Sequence, residues 1–344
     1  LSYAEANGQV KLIVLGNDIA GAGDYVNTAS GSWFNGTFDG RGYAVSDINI
    51  TSGSLFATVS PYATIKNLAV LNASGVSAVI AQTFYGTITD VYVQATLAGA
   101  PSGLVVAAAK YPETDAGHTI KNVIVNVAAT GLWVDGGTFR AIVGGGCACP
   151  ADIVTDCYAV SGLVTGLYST TQYGAAEETD KVYASESLFL ANASALIAGF
   201  NKNFWNVKEG LYFGNNVIMK ETVKMQPASG KHEIFSFAKD TEKTSDYAAA
   251  NIESGYYKVV LPIAVGSVNG LKIKGAAIRA YSYEDSSKTL KIAVAEVSAL
   301  ATGDGEMVIE TPDKNYGANI VVADYVITTA SELKTVLSYA EAKG

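Results

Sequence analysis

Five short segments share one six-residue pattern and decide the predicted fold: Val45-Ser-Asp-Ile-Asn-Ile50, Ile65-Lys-Asn-Leu-Ala-Val70, Ile88-Thr-Asp-Val-Tyr-Val93, Ile120-Lys-Asn-Val-Ile-Val125 and Val154-Thr-Asp-Cys-Tyr-Ala159. Each runs apolar, polar, Asn or Asp, then apolar again, and successive copies begin 20, 23, 32 and 34 residues apart. Such alternation is typical of strands with one buried face. Copies separated by loops of variable length indicate a solenoid, in which every coil keeps its strands and varies its connections.

The third position of each copy is always Asn or Asp. Such a side chain bonds the backbone of a turn and, in a solenoid, stacks on its equivalents in the neighbouring coils. We therefore predict a structural ladder, which explains the recurrence without catalysis, formed by Asp47, Asn67, Asp90, Asn122 and Asp156. The first positions are predicted to stack in one buried column: Val45, Ile65, Ile88, Ile120 and Val154.

The segment before these coils, Phe34-Asn-Gly-Thr-Phe-Asp-Gly-Arg-Gly-Tyr43, has a recognisable form. Together with Ile65-Lys-Asn-Leu and Ile88-Thr-Asp-Val it resembles the opening segment and coils of right-handed parallel β-helices. More narrowly, it is similar to the GLUG-type repeats of bacterial surface proteins and to the β-helical parts of phage fibres, although most coils lack the full Gly-Leu-x-Gly signature. The resemblance covers residues 34 to about 215. It implies no single function, because such coils occur in adhesins, fibres and polysaccharide-cleaving enzymes.

Beyond Gly214 the coil pattern ends and charged residues become denser. Six or seven predicted strands, with turns such as Val268-Asn-Gly270, indicate an antiparallel β-sandwich of immunoglobulin-like type. The predicted class is all-β. The predicted domains are the end of a capping helix at 1–8, a right-handed parallel β-helix at 9–215, the sandwich at 216–328, and a short helix at 329–344 that begins the next repeat.

One octapeptide occurs twice, as Leu1-Ser-Tyr-Ala-Glu-Ala-Asn-Gly8 and as Leu337-Ser-Tyr-Ala-Glu-Ala-Lys-Gly344, with seven of eight positions identical at an offset of 336 residues. The second copy follows Thr329-Ala-Ser-Glu332, a capping-box pattern that predicts a helix start. We interpret the chain as one period of a tandem array in which Leu1 is a cut through a longer polypeptide or a processed end; a duplicated end segment is the alternative. The predicted assembly residues are Leu1, Tyr3, Leu333, Val336, Leu337 and Tyr339.

Composition limits the partners. With 23 basic and 32 acidic residues and a formal charge of -9, the chain lacks the basic surface that nucleic acid or anionic lipid requires. The longest uncharged stretch, residues 67–89, contains several polar side chains, so no membrane insertion is expected. The predicted partners are copies of the chain itself, head to tail or in tandem, with carbohydrate as a further candidate.

Candidate catalytic groups are few. Asp39 and Arg41 could be an acid beside a cation, but their glycine-rich setting favours a turn. His118 and His232 fall in different predicted domains, and no nucleophile elbow or phosphate loop is present. No catalytic residue, metal or cofactor is therefore predicted. A sugar-stacking platform and buried or stacked-turn aromatics are the two interpretations of Trp33, Trp133 and Trp205.

Two further motifs leave alternatives open. The three cysteines allow a disulfide from Cys147 or Cys149 to Cys157 in an extracellular protein, whereas buried reduced thiols explain them equally well. A zinc site would need a fourth ligand. The acidic segment Asp240-Thr-Glu-Lys-Thr-Ser-Asp246 lacks the ordered spacing of a calcium site and is predicted to be a solvated loop.

The leading functional hypothesis is a non-enzymatic structural repeat of a long extracellular filament or of a giant tandem-repeat surface adhesin, located outside the cell or on its surface. The alternative is a carbohydrate-binding or carbohydrate-cleaving β-helix, such as a phage tail fibre or spike, a polysaccharide lyase or a glycoside hydrolase. The alternative location is a virion.

Overall fold

The computed structural model describes residues 10–27, 33–75, 78–97, 103–109, 119–129, 140–144, 153–160, 166–168, 181–196, 198–201, 205, 226–227, 234–238, 252–253, 255–261, 263–313 and 315–343. The chain divides into two compact units. We call residues 17–221 with 328–344 the parallel unit, and residues 1–16 with 222–327 the mixed unit.

The described elements are mostly strands, so the class is all-β. Those of the parallel unit are β2 (Gly23–Val26), β3 (Thr37–Asp39), β4 (Ala44–Ser46), β5 (Ile48–Ser52), β6 (Phe56–Val59), β7 (Thr64–Gly75), β8 (Ala81–Phe84), β9 (Thr87–Leu97), β10 (Val106–Ala109), β11 (Thr119–Ala129), β12 (Arg140–Val143), β13 (Val154–Thr155), β14 (Tyr158–Val160), β15 (Gly166–Tyr168), β16 (Val182–Tyr183), α1 (Glu186–Leu190), α2 (Ala193–Leu196) and α4 (Ala330–Lys343). Those of the mixed unit are β1 (Leu12–Leu15), β17 (Gln226–Pro227), β18 (Ile234–Ala238), β19 (Ile252–Glu253), β20 (Tyr256–Val260), β21 (Gly270–Ile273), β22 (Ala276–Ala277), β23 (Tyr281–Glu284), β24 (Thr289–Ala293), α3 (Val294–Ser298), β25 (Gly303–Glu310), β26 (Asn315–Ala323) and β27 (Tyr325–Ile327).

The parallel unit contains two parallel sheets. In the first, β3, β7, β9, β11, β14 and β16 are successive neighbours; β4 and β5 also pair with β7, β2 pairs with β5, and β13 pairs with β11. The second sheet has the order β15-β12-β10-β8-β6, so β6 is a terminal strand. Each sheet therefore adds its strands in chain order, one beside the next.

Side chains of equivalent residues form buried columns across the first sheet. Ile65 pairs with Ile88, Ile88 with Ile120, and Ile120 with Val154. The prediction for Val45 was wrong, because Val45 pairs with Val70 in a neighbouring column. The cause is the turn at residues 40–43, which adds residues between β3 and β4 relative to the matching part of β7 and so shifts the register.

Two sheets of the mixed unit contribute to one apolar core. The first has the order β17-β26-β25-β21-β22, with β18 parallel to β26, and the second is the antiparallel sheet β19-β20-β24-β23. Side chains from both sheets, including Tyr257, Ile273, Ile292, Met307 and Ile320, are buried in this core. The parallel β18/β26 pair departs from the all-antiparallel arrangement that the sequence suggested.

The first strand belongs to the mixed unit and not, as expected for residues from 9 onward, to the parallel one. β1 pairs in parallel with β27, matching Ile13 to Tyr325. The Asp324 carboxylate accepts hydrogen bonds from the main-chain N–H groups of Lys11 and Leu12, at 2.7 and 2.9 Å. A buried carboxylate at the start of the pair thus satisfies the donors that begin β1.

Candidate assembly site

Helix α4 begins with the capping box that the sequence indicates. The Thr329 hydroxyl accepts a hydrogen bond from the Glu332 main-chain N–H at 3.2 Å, and the Glu332 carboxylate accepts one from the Thr329 N–H at 3.1 Å. The same carboxylate accepts from the Thr328 N–H and hydroxyl, at 2.7 and 2.9 Å. These contacts satisfy donors that a helix start otherwise leaves open.

One face of α4 is buried within the parallel unit. Along it lie Leu333, Val336, Leu337 and Ala340, none more than 3% exposed. Glu341 continues the same face and is only 1% exposed. Apolar residues at this spacing are what a packed helix requires, whereas a carboxylate in such a place must find polar partners.

Two of the polar partners of Glu341 are Asn27 and Ala57. Together with the residues that hold them or that contact the margin of α4, they form a surface that we call the α4-binding site: Asp24, Tyr25, Asn27, Leu55 and Ala57. The Glu341 Oε1 atom accepts from the main-chain N–H of Ala57 at 2.5 Å, and Oε2 accepts from Asn27 Nδ2 at 3.0 Å. The Leu55 carbonyl accepts from the Tyr25 hydroxyl and from Asn27 Nδ2, which fixes both side chains. At the margin, Lys334 Nζ donates to the Asp24 carbonyl at 2.7 Å.

The environment of Glu341 disfavours its charge. Burial raises the pKa of this carboxyl from 4.5 to about 7, although hydrogen bonds from Asn27 and from the main chain of Ala57 and Thr58 act in the opposite direction. Burial, and then the nearby Glu341, raise the pKa of the Tyr25 hydroxyl, which therefore stays neutral. Near neutral pH the site thus holds a carboxyl group that is close to its titration midpoint.

The predicted assembly residues differ in how deeply they are buried. Leu333, Val336 and Leu337 are buried on the inner face of α4, while Tyr339 is half-buried with Lys343 Nζ 5.7 Å from the centre of its ring. Leu1 and Tyr3 lie outside the described residues. Helical spacing also indicated Ala340, whereas sequence reasoning missed Glu341 and the α4-binding site. The available signal was the octapeptide itself, in which both Ala340 and Glu341 are repeated.

The predicted ladder residues all adopt a left-handed backbone conformation, with φ between 52° and 57° at Asp47, Asn67, Asp90, Asn122 and Asp156. Asn and Asp tolerate this conformation better than most residues, because their short side chains bond locally. The Asn122 amide donates to Asp90 Oδ1 at 3.0 Å, and the main-chain N–H of Asn201 donates to the same atom at 3.2 Å. Asp156 instead lies 3.8 Å from Lys121 Nζ.

Asp47 does not stand beside Asn67 as predicted. Its Oδ1 accepts from Asn72 Nδ2 at 3.1 Å. Asn72 is a second left-handed residue of β7, five positions after Asn67. The side chain that bonds Asn67 is Asp39, whose Oδ1 accepts from Asn67 Nδ2 at 2.9 Å. The six-residue pattern is common to both corners, so the sequence could not distinguish them.

The Asp39 carboxylate, 3% exposed, is surrounded by donors and cations. Its Oδ1 also accepts from the Arg41 main-chain N–H at 2.9 Å. Its Oδ2 lies 3.5 Å from Lys66 Nζ and 3.9 Å from a terminal guanidinium nitrogen of Arg41. These contacts connect the turn at residues 40–43 to β7, which is the turn-stabilising role that the glycines suggested.

Other predicted positions are dispersed. Cys157 is buried, and its Sγ atom donates to the Ile120 carbonyl oxygen at 3.4 Å. Trp33, 37% exposed, stacks on Tyr85 with ring centres 5.1 Å apart, whereas Trp205 is buried against Phe200. Outside the described residues lie Cys147, Cys149, Trp133, His118, His232 and the Asp240–Asp246 loop.

Within the described part of the chain, no group of three or more His, Cys, Asp or Glu side chains is placed to hold a metal ion. Among the same residues, no helix has the length and apolar character needed to cross a membrane. No protein-family model, curated protein or solved structure matches this chain.

Proposed function

We propose that the chain is a non-enzymatic structural repeat unit of a long extracellular filament or giant tandem-repeat surface adhesin, with units following one another head to tail. The observation that carries this proposal is the repeated octapeptide. Its second copy is the C-terminal half of α4, and the buried positions Leu337, Ala340 and Glu341 are identical in the first copy. Its one difference, Asn7 against Lys343, falls at an exposed position of α4.

The same proposal includes a specific fold for each unit. The two parallel sheets are successive faces of one right-handed parallel β-helix, and the mixed unit is an immunoglobulin-like β-sandwich. Support comes from strands added in chain order, from the Ile65–Ile88–Ile120–Val154 column, and from a left-handed residue at each equivalent corner. A parallel β-helix whose terminal strand β6 is covered by helix α4 is suited to act as an elongated spacer.

A structural role also fits the groups that were candidates for catalysis. The Asp39 carboxylate accepts hydrogen bonds from the Asn67 side chain and from the Arg41 main chain, and the nearby Lys66 side chain balances its charge. The extracellular location is part of the same proposal, since tandem repeat bodies of this kind act as spacers and surface fibres.

The test is the shape of chains that carry one, two and three 336-residue periods, measured by small-angle X-ray scattering. A head-to-tail array gives a maximum dimension that grows by the same increment with every added period, at constant cross-section. Growth of all dimensions together would show that the units collapse on one another, and would reject the proposal.

Carbohydrate binding is the second candidate, favoured by the stacked Trp33–Tyr85 pair at the surface of the parallel unit. Exposed aromatic faces are common contact surfaces for sugar rings. Under this candidate, affinity electrophoresis in a panel of neutral and acidic polysaccharides retards the chain, and Trp33→Ala abolishes the retardation while a buried control, Trp205→Phe, retains it. Equal mobility in all gels would reject carbohydrate binding.

A further inference from the structure

We infer that the α4-binding site accepts helix α4 of a second copy of this chain, with the Glu341 carboxyl as the group that is recognised. This inference rests on the proposed head-to-tail function, and it names the residues that make the joint. The partner is therefore a helix whose inner face presents Leu333, Val336, Leu337, Ala340 and Glu341.

The first argument is connectivity. The contacts between α4 and its site join residues 284 to 314 positions apart: Ala57 to Glu341, Asn27 to Glu341 and Asp24 to Lys334. Contacts between such distant parts of the sequence do not require that the helix and the site belong to one chain. A helix from a second copy makes the same contacts, and it competes with the helix of the same chain according to effective concentration.

The second argument is the sequence immediately before β1. Leu1, Ala4 and Glu5 repeat the three buried positions Leu337, Ala340 and Glu341. In a tandem chain, every parallel unit is therefore preceded and followed by a segment with the same residues at these three positions. The α4 helix of the neighbouring period thus carries the residues that the site contacts.

The third argument is chemical selectivity. Ala57 lies on β6, the terminal strand of the second sheet, and terminal strands present main-chain donors to a partner. A partner helix that lacks the carboxyl, or that binds one turn out of register, does not form the hydrogen bonds of Glu341 Oε1 with the Ala57 N–H and of Oε2 with Asn27 Nδ2. Such a loss weakens binding, and it restricts the partner to a helix with an acidic residue next to Ala340.

The test is site-specific cross-linking between two differently labelled full-length chains. The first carries Asp24→Cys, at the margin of the site, together with Glu341→Ala, which weakens its own helix. The second, uniformly labelled with ¹⁵N, carries Lys334→Cys and a native Glu341. After mixing and treatment with a short bismaleimide, mass spectrometry counts only peptides that join residue 24 of the unlabelled chain to residue 334 of the labelled chain.

We expect this mixed peptide to form, and its yield to fall at least tenfold when the labelled chain also carries Glu341→Ala. A matched control with Lys343→Cys, at the exposed C-terminal end of α4 and more than two turns from residue 334, gives a much lower yield. Equal yields with and without Glu341, or equal yields from residues 334 and 343, would overturn the inference. If Glu341→Ala unfolds the first chain, as seen by circular dichroism, the same count is made with Glu341→Gln or with Asp24→Cys alone after prolonged mixing.

The outcome is separable from that of the proposed function. Linear growth of multi-period chains without mixed cross-links rejects this joint and leaves the filament proposal standing. Mixed cross-links with compact multi-period chains reject the filament proposal and leave the helix exchange.

Discussion

Replacement of Glu341 by Gln should remove a large part of the pH dependence of the parallel unit's stability. The folded state keeps a proton on Glu341 up to pH about 7, whereas the unfolded chain, with the ordinary pKa of 4.5, releases it earlier. The folded state therefore binds more protons within this window. Its free energy of unfolding falls as the pH rises from about 4.5 to about 7, and is constant above it.

The magnitude follows from the two pKa values. A shift from 4.5 to about 7 corresponds to about 3 kcal/mol in total, at about 1.4 kcal/mol for each pKa unit. Between pH 5 and pH 8 the part that is lost is about 2.5 kcal/mol. Tyr25, the titratable group beside Glu341, stays neutral over this range because its own pKa is raised. The amide that Glu341→Gln introduces cannot ionise. Its oxygen still accepts from Ala57, whereas its nitrogen cannot accept from Asn27, so the variant loses the titration together with one hydrogen bond, and the cost of that bond does not depend on pH.

Urea unfolding followed by tryptophan fluorescence measures this effect. All three tryptophans, Trp33, Trp133 and Trp205, belong to the parallel unit, so the signal reports that unit alone. The difference in unfolding free energy between Glu341→Gln and the parent chain should grow by about 2.5 kcal/mol from pH 5 to pH 8. Glu306→Gln, at an exposed position of the mixed unit, is the matched control and should track the parent chain. Parallel curves for all three proteins would refute the argument that Glu341 is buried and neutral at low pH.

Three further outcomes are expected. Asn67→Ala should destabilise the parallel unit by about 3 kcal/mol, because the hydrogen bond to Asp39 is lost and alanine is strained in the left-handed backbone conformation. Asn67→Gly should cost about 1 kcal/mol less, because glycine tolerates that conformation. Equal losses of unfolding free energy in urea would show that residue 67 is not strained by its backbone conformation. Leu337→Ala should lower the free energy of unfolding by about 2–5 kcal/mol, while Ser338→Ala, at an exposed position, should change it by about 0.5 kcal/mol or less. Similar values for the two variants in the same assay would show that Leu337 is not on the buried face of α4. Mass spectrometry after maleimide treatment should find Cys157 unmodified in the native protein and modified in urea, and rapid native labelling would show that this thiol is accessible.

The recurring pattern was sufficient to predict which segments lie side by side. Ile65, Ile88, Ile120 and Val154 are the first apolar residues of four copies, and they pair in order along the sheet. The pattern works because one residue out of register would turn every apolar side chain to the opposite face. It failed at Val45, because the register there depends on how many residues the preceding turn contains, and a six-residue pattern carries no information on that number.

The candidate site was predictable only in part. Helical spacing and the capping box were sufficient to place Leu333, Val336 and Leu337 on one face of α4. Glu341 could not be placed there, because an acidic residue in the last helical turns is normally assigned to solvent. Its burial depends on Asn27 and Ala57, which are about 300 positions away and supply donors that no local pattern reveals.

The sequence pattern also could not predict which strands pair when they are far apart in the chain. Alternating apolar residues indicate that Leu12–Leu15 is a strand, yet its partner, Tyr325–Ile327, lies near the opposite end of the sequence. Periodicity reports the buried face of a strand and not the neighbour that completes its hydrogen bonds. The first strand was for this reason assigned to the coils that follow it.

Cryo-electron microscopy of a chain with two consecutive periods tests the central claim most directly, because it shows what lies at the junction. The account predicts two parallel units along one axis, each α4-binding site filled by a helix whose Glu341 equivalent contacts the Ala57 N–H, and the junction helix packed on one of those sites. A junction helix that contacts neither site, with the two periods at no fixed spacing, would contradict the account.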